Sequence, residues 1–187
     1  MIRRTRSYFH RLHGLNHVGV TVSDFEAACR WYREMFDFHL VNDLHLGPEQ
    51  TKHLVSLYGQ ENLSVRLGFL AGQSEALLEI FQFTPAGCVG DTEGEELKTG
   101  LPEWTRPGYS HAAISVTNVP EVKAALEAKG MEFITDVQFV GGAHWAFGKD
   151  PDGNLIEIID YHANRLPLKY IGNLVGKLMR RTQFRFY

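Results

Sequence analysis

The sequence predicts an α+β fold built from two modules, each with the order strand–helix–strand–strand–strand. Short segments alternate apolar and polar side chains with period 2, which is typical of half-buried strands. Each half of the chain also contains one segment with helical spacing, residues 24–36 and 119–129. The strand-like segments that precede these helices, 15–22 and 109–116, repeat each other 94 positions apart. Such a fixed offset indicates an internal repeat.

Length and composition exclude several classes of protein. A chain of 187 residues is long enough for one domain or two small fused ones, and it buries roughly 70% of its unfolded surface without disulfide staples. The cysteines, Cys29 and Cys88, have no zinc-site spacing and require no oxidising compartment, so we expect a cytoplasmic protein. No apolar run approaches the roughly 20 residues of a membrane span.

Basic residues are concentrated at the two ends of the chain. The ends hold 10 of the 19 lysines and arginines, which leaves 9 against all 22 acids, a charge near −13, for the residues between them. The ends could contact an acidic partner, a membrane surface or nucleic acid, but we favour packing on the acidic body and predict no nucleic-acid partner. The predicted organisation is a basic N-terminal extension (1–13), a first module (14–83), a linker (84–108), a second module (109–160) and a basic C-terminal tail (161–187).

The first module begins with a strand whose apolar face is Val18, Val20 and Val22. Ser23 or Asp24 offers an N-cap for the helix that follows. The rest of the module is predicted to contain a short strand, a loop with a helical turn and a hairpin, at residues 38–41, 46–59, and 63–70 with 76–83.

The second module repeats this order after a linker rich in Gly, Pro, Thr and Glu. Asn118 is a predicted cap, Pro120 is tolerated in the first helical turn, and Gly130 ends the helix. Short strands are predicted at 133–134 and 143–148, and a turn at 149–153 leads into the last strand.

Each module carries one histidine in its first strand and one glutamate between apolar residues in its last strand. These residues are His17 and Glu79, then His111 and Glu157. A lone histidine in a strand is more often a hydrogen-bonded core residue, and a lone glutamate often faces water. Here these explanations would have to apply separately to four residues that occupy matching places in the two modules. A buried carboxylate is costly unless it is paired, metal-bound or neutralised. We therefore expect curved mixed sheets that form a metal-binding cup for Zn²⁺, Ni²⁺, Fe²⁺, Co²⁺ or Mn²⁺.

Four motifs resemble the vicinal oxygen chelate superfamily, which includes glyoxalase I, bleomycin-resistance proteins and extradiol dioxygenases. They are Leu15-Asn16-His17-Val18-Gly19-Val20, Ala76-Leu77-Leu78-Glu79-Ile80-Phe81, Tyr109-Ser110-His111-Ala112-Ala113-Ile114 and Asp150-Pro151-Asp152-Gly153-Asn154-Leu155-Ile156-Glu157. The resemblance implies paired βαβββ modules and a divalent metal on the floor of the cup.

The order His, Glu, His, Glu is similar to bacterial glyoxalase I. That resemblance implies metal ligands at His17, Glu79, His111 and Glu157. It also implies catalytic carboxylates, Glu157 as the base and Glu79 beside it, that act next to a carbonyl while the metal stabilises an enediolate. The implied substrate is a small molecule, with a thiol such as glutathione as co-substrate, and the implied assembly is a homodimer.

Three alternatives within the superfamily stay open. Methylmalonyl-CoA epimerases usually have Gln where this chain has Glu79. Extradiol Fe(II) dioxygenases use two His and one carboxylate, and they tend to place a Tyr near the position of Phe147. A non-catalytic, ligand-sequestering protein of the bleomycin-resistance type would lack the metal set.

Other polar residues give weaker hypotheses. His144 is either an acid or base that stands behind the metal ligands or a simple polar position on a short strand. Trp104 and Arg106 in the linker could clamp an anionic substrate, or the tryptophan could only anchor a loop. The remaining histidines are predicted to be surface or structural residues: His10, His13, His39, His45, His53 and His162.

Overall fold

The structure is a computed structural model, and it describes residues 15–58, 61–73, 76–85, 109–140, 142–162 and 171. The chain divides into two compact units, Met1–Thr99 and Gly100–Tyr187. The division falls inside the predicted linker, and each unit contains one predicted module. The basic N-terminal extension, the linker after Pro85 and nearly all of the basic tail lie outside the described residues.

The first unit contains a four-stranded mixed sheet with the strand order β1-β4-β3-β2. Strand β1 runs parallel to β4, while β2–β3 and β3–β4 are antiparallel. The elements are β1 His17–Thr21, α1 Phe25–Phe36, β2 His39–Leu46, α2 Pro48–Thr51, a 3₁₀ turn Lys52–Leu54, α3 Val55–Tyr58, β3 Leu63–Ala71 and β4 Leu77–Pro85.

Helix α1 begins after Asp24, one of the two predicted caps, and packs closely on this sheet. Asp24 accepts a hydrogen bond from the Ala27 N–H at 2.8 Å, which satisfies one of the unpaired donors of the first turn. Its buried face includes Phe25 and Tyr32. A Cβ at Gly68 would lie 2.8 Å from Phe25 Cζ, so only a glycine allows the helix to approach β3 this closely.

The second unit contains a mixed sheet with the order β5-β9-β8-β6, and β7 also pairs with β8. Strand β5 runs parallel to β9, and the β8 pairings are antiparallel. The elements are β5 Ala112–Ser115, α4 Val119–Ala128, β6 Glu132–Phe133, β7 Gln138–Val140, β8 Ala143–Lys149 and β9 Leu155–Asp160. Two open mixed sheets, each with a helix after its first strand, confirm the predicted α+β fold of βαβββ modules.

Local chemistry at the ends of elements matches the prediction in this unit. Asn118 accepts from the Glu121 N–H at the start of α4, and Gly130 follows the helix with φ of 95°. In the turn before β9, Asp150 Oδ1 accepts from the N–H groups of Asp152 and Asn154 at 3.0 and 2.8 Å. Gly153 supplies a φ of 86°, which favours glycine.

Strand limits differ from the prediction in both units. Strand β2 extends to Leu46 rather than ending near residue 41, and the following segment, 48–58, is mainly helical. In the second unit β5 begins at Ala112, so His111 immediately precedes the strand. Strand β7 was not predicted, because its three residues are too few to show a period.

Candidate metal-binding site

Parallel pairing of β1 with β4 creates the first histidine–glutamate pair. Gly19 lies opposite Glu79, and His17 stands two residues earlier on the same face of β1. His17 Nε2 is 3.2 Å from Glu79 Oε2. The carboxylate side chain is 13% exposed and the imidazole 40%, so the pair opens to solvent on the histidine side.

The second unit repeats this arrangement, and its histidine again stands two residues before the residue that lies opposite the glutamate. Ala113 lies opposite Glu157 in the parallel β5–β9 pairing, and His111 stands two residues before Ala113. His111 Nε2 is 3.3 Å from Glu157 Oε2, and the glutamate side chain is again 13% exposed. The structure thus brings each predicted histidine together with the predicted glutamate of its own module.

The residue before each histidine holds the other ring nitrogen. His17 Nδ1 lies 2.8 Å from Asn16 Oδ1, and His111 Nδ1 lies 2.8 Å from Ser110 Oγ. An amide oxygen only accepts, so Nδ1 of His17 donates to Asn16 and Nε2 is the ring nitrogen that faces Glu79. An imidazole nitrogen and a carboxylate oxygen that face each other at this distance need a proton or a cation between them.

A phenylalanine lies directly across from each glutamate. Phe69 on β3 is the register partner of Glu79, and Phe147 on β8 is the partner of Glu157. The ring centroids of Phe69 and His17 are 5.3 Å apart, and those of Phe147 and His111 are 5.0 Å apart at an angle of 88°. Each histidine is therefore held between a polar residue, a carboxylate and an aromatic ring.

The strand beside each phenylalanine is interrupted at the corresponding point. In β2 the register shifts between Leu40 and Asn42, and Asn42 Oδ1 accepts from the Phe69 N–H at 2.7 Å. In the second unit the interruption separates β6 from β7, and Thr135 Oγ1 accepts from the Phe147 N–H at 2.9 Å. A side-chain oxygen thus replaces the missing backbone acceptor in both modules.

Burial is the largest influence on the pKa of the Glu157 carboxyl group. Desolvation raises the pKa of its carboxyl group, and the neighbouring His111 only partly offsets that rise. A carboxylate whose charge is disfavoured by burial binds a proton or a cation more readily than an exposed one. This property suits both a metal ligand and a general base.

The donor atoms of each pair fit a divalent metal. Imidazole nitrogen and carboxylate oxygen are the usual ligands of zinc, iron, nickel and manganese, and a ligating histidine normally donates its other N–H to a neighbouring acceptor, as at Asn16. Each unit presents two such donors. Within the described part of the chain, however, no group of three or more His, Cys, Asp or Glu residues could hold a metal, so the predicted four-ligand set stays a prediction.

Sequence reasoning did not assign roles to the residues that support each pair. The polar residue before each histidine was a visible signal, because Asn16-His17 and Ser110-His111 occupy matching places in the repeat. The partners Phe69, Asn42 and Thr135 left no such signal, because strand register brings them to the pair.

The other predicted candidates lie elsewhere. His144 is on the opposite face of the second sheet from Glu157 and contacts His162 instead. His39 and His45 face the carboxylates of Asp37 and Asp43, in keeping with structural roles. His53 belongs to the 3₁₀ turn. Four candidates lie outside the described residues: His10, His13, Trp104 and Arg106. Within the described segments no helix has the length and apolar character of a membrane span.

Comparisons with known proteins agree with this fold. A family model described as the Glyoxalase/Bleomycin resistance protein/Dioxygenase superfamily matches residues 14–158. A lactoylglutathione lyase of Schizosaccharomyces pombe is 28% identical over 148 residues, which cover 78% of this chain and 46% of that protein. The chain therefore spans about half the length of this curated relative.

Solved structures resemble the chain in fold. A glyoxalase family protein from Bacillus cereus superimposes with a TM-score of 0.61 at 15% identity, covering 86% of this chain and 98% of the other. A glutamate-to-glutamine mutant of the fosfomycin resistance protein FosX from Listeria monocytogenes, in a complex with Mn(II) and 1S,2S-dihydroxypropylphosphonic acid, gives a TM-score of 0.51 at 15% identity, covering 85% of this chain and 98% of the other.

Proposed function

Because the chain belongs to the Glyoxalase/Bleomycin resistance protein/Dioxygenase superfamily, we propose that it is a divalent-metal-dependent isomerase or lyase of the glyoxalase I type. The observation that carries the proposal is the duplicated pair, with Nε2 to Oε2 distances of 3.2 and 3.3 Å in the two modules. Both pairs share the same strand offset, the same ring-nitrogen partner position and the same opposing phenylalanine, so the two modules present matching nitrogen and oxygen donors.

The metal would be held by His17, Glu79, His111 and Glu157. Each unit supplies one nitrogen and one oxygen ligand, so a complete centre needs both pairs, drawn from one chain or from two copies. A bound divalent ion would withdraw electron density from a substrate carbonyl and so acidify the neighbouring C–H bond. Zn²⁺, Ni²⁺, Fe²⁺, Co²⁺ and Mn²⁺ all accept this ligand set.

Glu157 is the proposed base. Burial raises the pKa of its carboxyl group, and a raised value brings a carboxylate closer to the range in which proton transfer is efficient. Phe147 is 9% exposed and lies across the sheet from Glu157, so it shields one side of the carboxylate from water. Glu79 occupies the corresponding place in the first module and would serve as the second carboxylate.

The relative from Schizosaccharomyces pombe supports this reaction class, because its name describes a lyase that acts on lactoylglutathione. By that similarity the substrate would be a small α-hydroxycarbonyl compound or hemithioacetal, with a thiol such as glutathione as co-substrate. A homodimer is the proposed assembly, as the similarity to this superfamily implies.

The dioxygenase alternative is less well supported. The residue across from Glu157 is Phe147, which has no hydroxyl group where ring-cleaving enzymes tend to place a tyrosine. Glu79 would also occupy a metal position that oxygen chemistry leaves open.

The test combines metal analysis with turnover. We expect the purified protein to contain a divalent metal and to isomerise the adduct of methylglyoxal with one of a panel of thiols. Glu157→Gln should lower kcat by roughly 10²- to 10⁴-fold, the usual contribution of a general base. The control is Glu132→Gln, a carboxylate on β6 that is 65% exposed and paired with Lys149 at 2.9 Å.

Two results would contradict the proposal. If metal-loaded protein turned over no thiol adduct, the glyoxalase assignment would be wrong while the fold stood. If an aromatic ligand bound tightly both with and without chelator, and Glu157→Gln left that binding unchanged, the protein would be a sequestering one.

A further inference from the structure

A second cluster of histidine and carboxylate side chains lies on the other face of the second sheet. His144 on β8 is the register partner of Asp160 on β9. His144 is three residues from Phe147 along β8, and Asp160 is three residues from Glu157 along β9. Side chains three residues apart on a strand point to opposite faces of the sheet. The N–H of Asn118, at the start of α4, donates to Asp160 Oδ2 at 3.0 Å, which places the cluster on the helix side.

His162 completes the cluster just after β9. Its Nε2 lies 2.8 Å from Nδ1 of His144, and its Nδ1 lies 3.4 Å from Asp160 Oδ2. Its backbone N–H donates to Asp160 Oδ1 at 2.7 Å, and its φ is 52°, a conformation that few non-glycine residues adopt. Asp160 therefore holds both the backbone and the ring of His162.

The carboxylate determines where the ring protons lie. Asp160 is only 6% exposed, and the N–H groups of Asn118 and His162 lower the pKa of its carboxyl group. The carboxylate favours a proton on Nδ1 of His162, which leaves the Nε2 lone pair directed at His144. Two imidazole nitrogens that face each other at 2.8 Å can share one proton or one metal ion.

We propose that His144 and His162 form a second binding site, for a divalent transition metal such as Zn²⁺, Ni²⁺ or Cu²⁺, separate from the His111–Glu157 pair. Imidazole is a preferred ligand of these ions. Asp160 stands behind His162 in the carboxylate–histidine–metal arrangement that orients ligating rings. Water fills the remaining coordination positions.

Binding a metal ion between His144 and His162 requires little movement of the two rings. Metal–nitrogen bonds of about 2.0–2.1 Å place two tetrahedral ligands roughly 3.3 Å apart, so the two nitrogens need to separate by only about half an ångström. The His162 side chain is 44% exposed, which gives an ion access. The Phe139 ring lies 4.6 Å from that of His144 and keeps the histidine in place.

The experiment separates this site from the proposed centre. Full-length protein without a histidine tag and with His17→Gln and His111→Gln is stripped with chelator and titrated with Zn²⁺ by calorimetry. We expect about one Zn²⁺ per chain to bind, and a further His162→Gln change to weaken that binding at least tenfold. The matched control is His39→Gln, because His39 faces the carboxylate of Asp37 at 2.9 Å but lies in the first unit.

Zinc binding that is equal in the background protein and in the His162→Gln protein would overturn the proposal. So would a loss of equal size in the His39→Gln control. If His162→Gln fails to fold, imidazole NMR of the background protein gives the answer, since zinc must shift the ring resonances of His144 and His162. Resonances that do not move on zinc addition refute the site.

Discussion

Thr135 offers a sharp test of how the strand beside Glu157 is held. Its hydroxyl accepts the Phe147 N–H at 2.9 Å, where the break between β6 and β7 removes the backbone acceptor. Thr135→Val keeps the shape of the side chain but removes that acceptor. Leaving a partly buried N–H without its acceptor costs about 1–2 kcal/mol, while the two residues' nearly equal volume keeps the packing term small.

Hydrogen exchange at the Phe147 amide measures this effect at the site itself. A loss of 1–2 kcal/mol corresponds to a roughly 5- to 30-fold increase in exchange rate when exchange follows local opening. Amides of α1 lie in the other unit and should keep their rates. The urea midpoint should fall as well, but the local amide is the more specific measurement in a chain with two units.

Thr135→Ser is the matched control. It retains the hydroxyl and loses only a methyl group, so the Phe147 amide should stay protected. Equal acceleration in the Val and Ser variants would mean that packing rather than the hydrogen bond holds the strand. The reasoning would then also fail for Asn42, whose side chain accepts the Phe69 N–H at 2.7 Å in the first module.

Charge, packing and assembly each offer a further test. Burial raises the pKa of Glu157, so in metal-free protein the folded state retains a proton that the unfolded chain releases, and stability falls as pH rises from the ordinary glutamate range through the raised value. Glu157→Gln should flatten that slope in urea titrations, and an unchanged slope would contradict the assignment. Gly68→Ala places a Cβ 2.7 Å from Asn42 O and should destabilise the protein by about 1–3 kcal/mol in thermal unfolding. Gly19→Ala places a Cβ 3.2 Å from the Phe81 ring and 3.9 Å from Glu79 Oε2, both side chains rather than backbone, and should cost much less, so equal costs would refute the packing argument. Light scattering should give about twice the 21.2 kDa chain mass, and a monomer would remove the homodimer prediction.

Local chemistry made part of the fold predictable from the sequence. The sequence predicts Asn118 and either Ser23 or Asp24 as caps, because short polar side chains before an amphipathic segment satisfy the first helical N–H groups. In the structure the caps are Asn118 and Asp24. Gly153 was identified in its turn because an Asp-Pro-Asp-Gly sequence requires a positive φ. These features depend on neighbours within a few residues, so a single sequence is sufficient to find them.

Features that depend on pairing between distant strands were not predictable in the same way. The interruption beside Phe147 hid β7, because the residues between β6 and β7 follow neither period. The partnership of Phe69 with Glu79 arises from antiparallel register, which a single sequence does not specify. For the same reason, the sequence identified the histidines and glutamates as a repeated set but not their direct contact within each module.

Strand pairing rather than sequence spacing sets the geometry of the two candidate pairs. His17 precedes Glu79 by 62 residues, whereas His111 precedes Glu157 by 46, yet the two Nε2 to Oε2 distances agree within 0.1 Å. In each module the histidine lies at or just before the start of the first strand and the glutamate lies in the last strand, and these two strands are direct neighbours in the sheet. Additional residues between the middle strands, such as the helical segment 48–58, can therefore accumulate without moving the pair. Two copies of one module can diverge in length and still present the same nitrogen and oxygen donors.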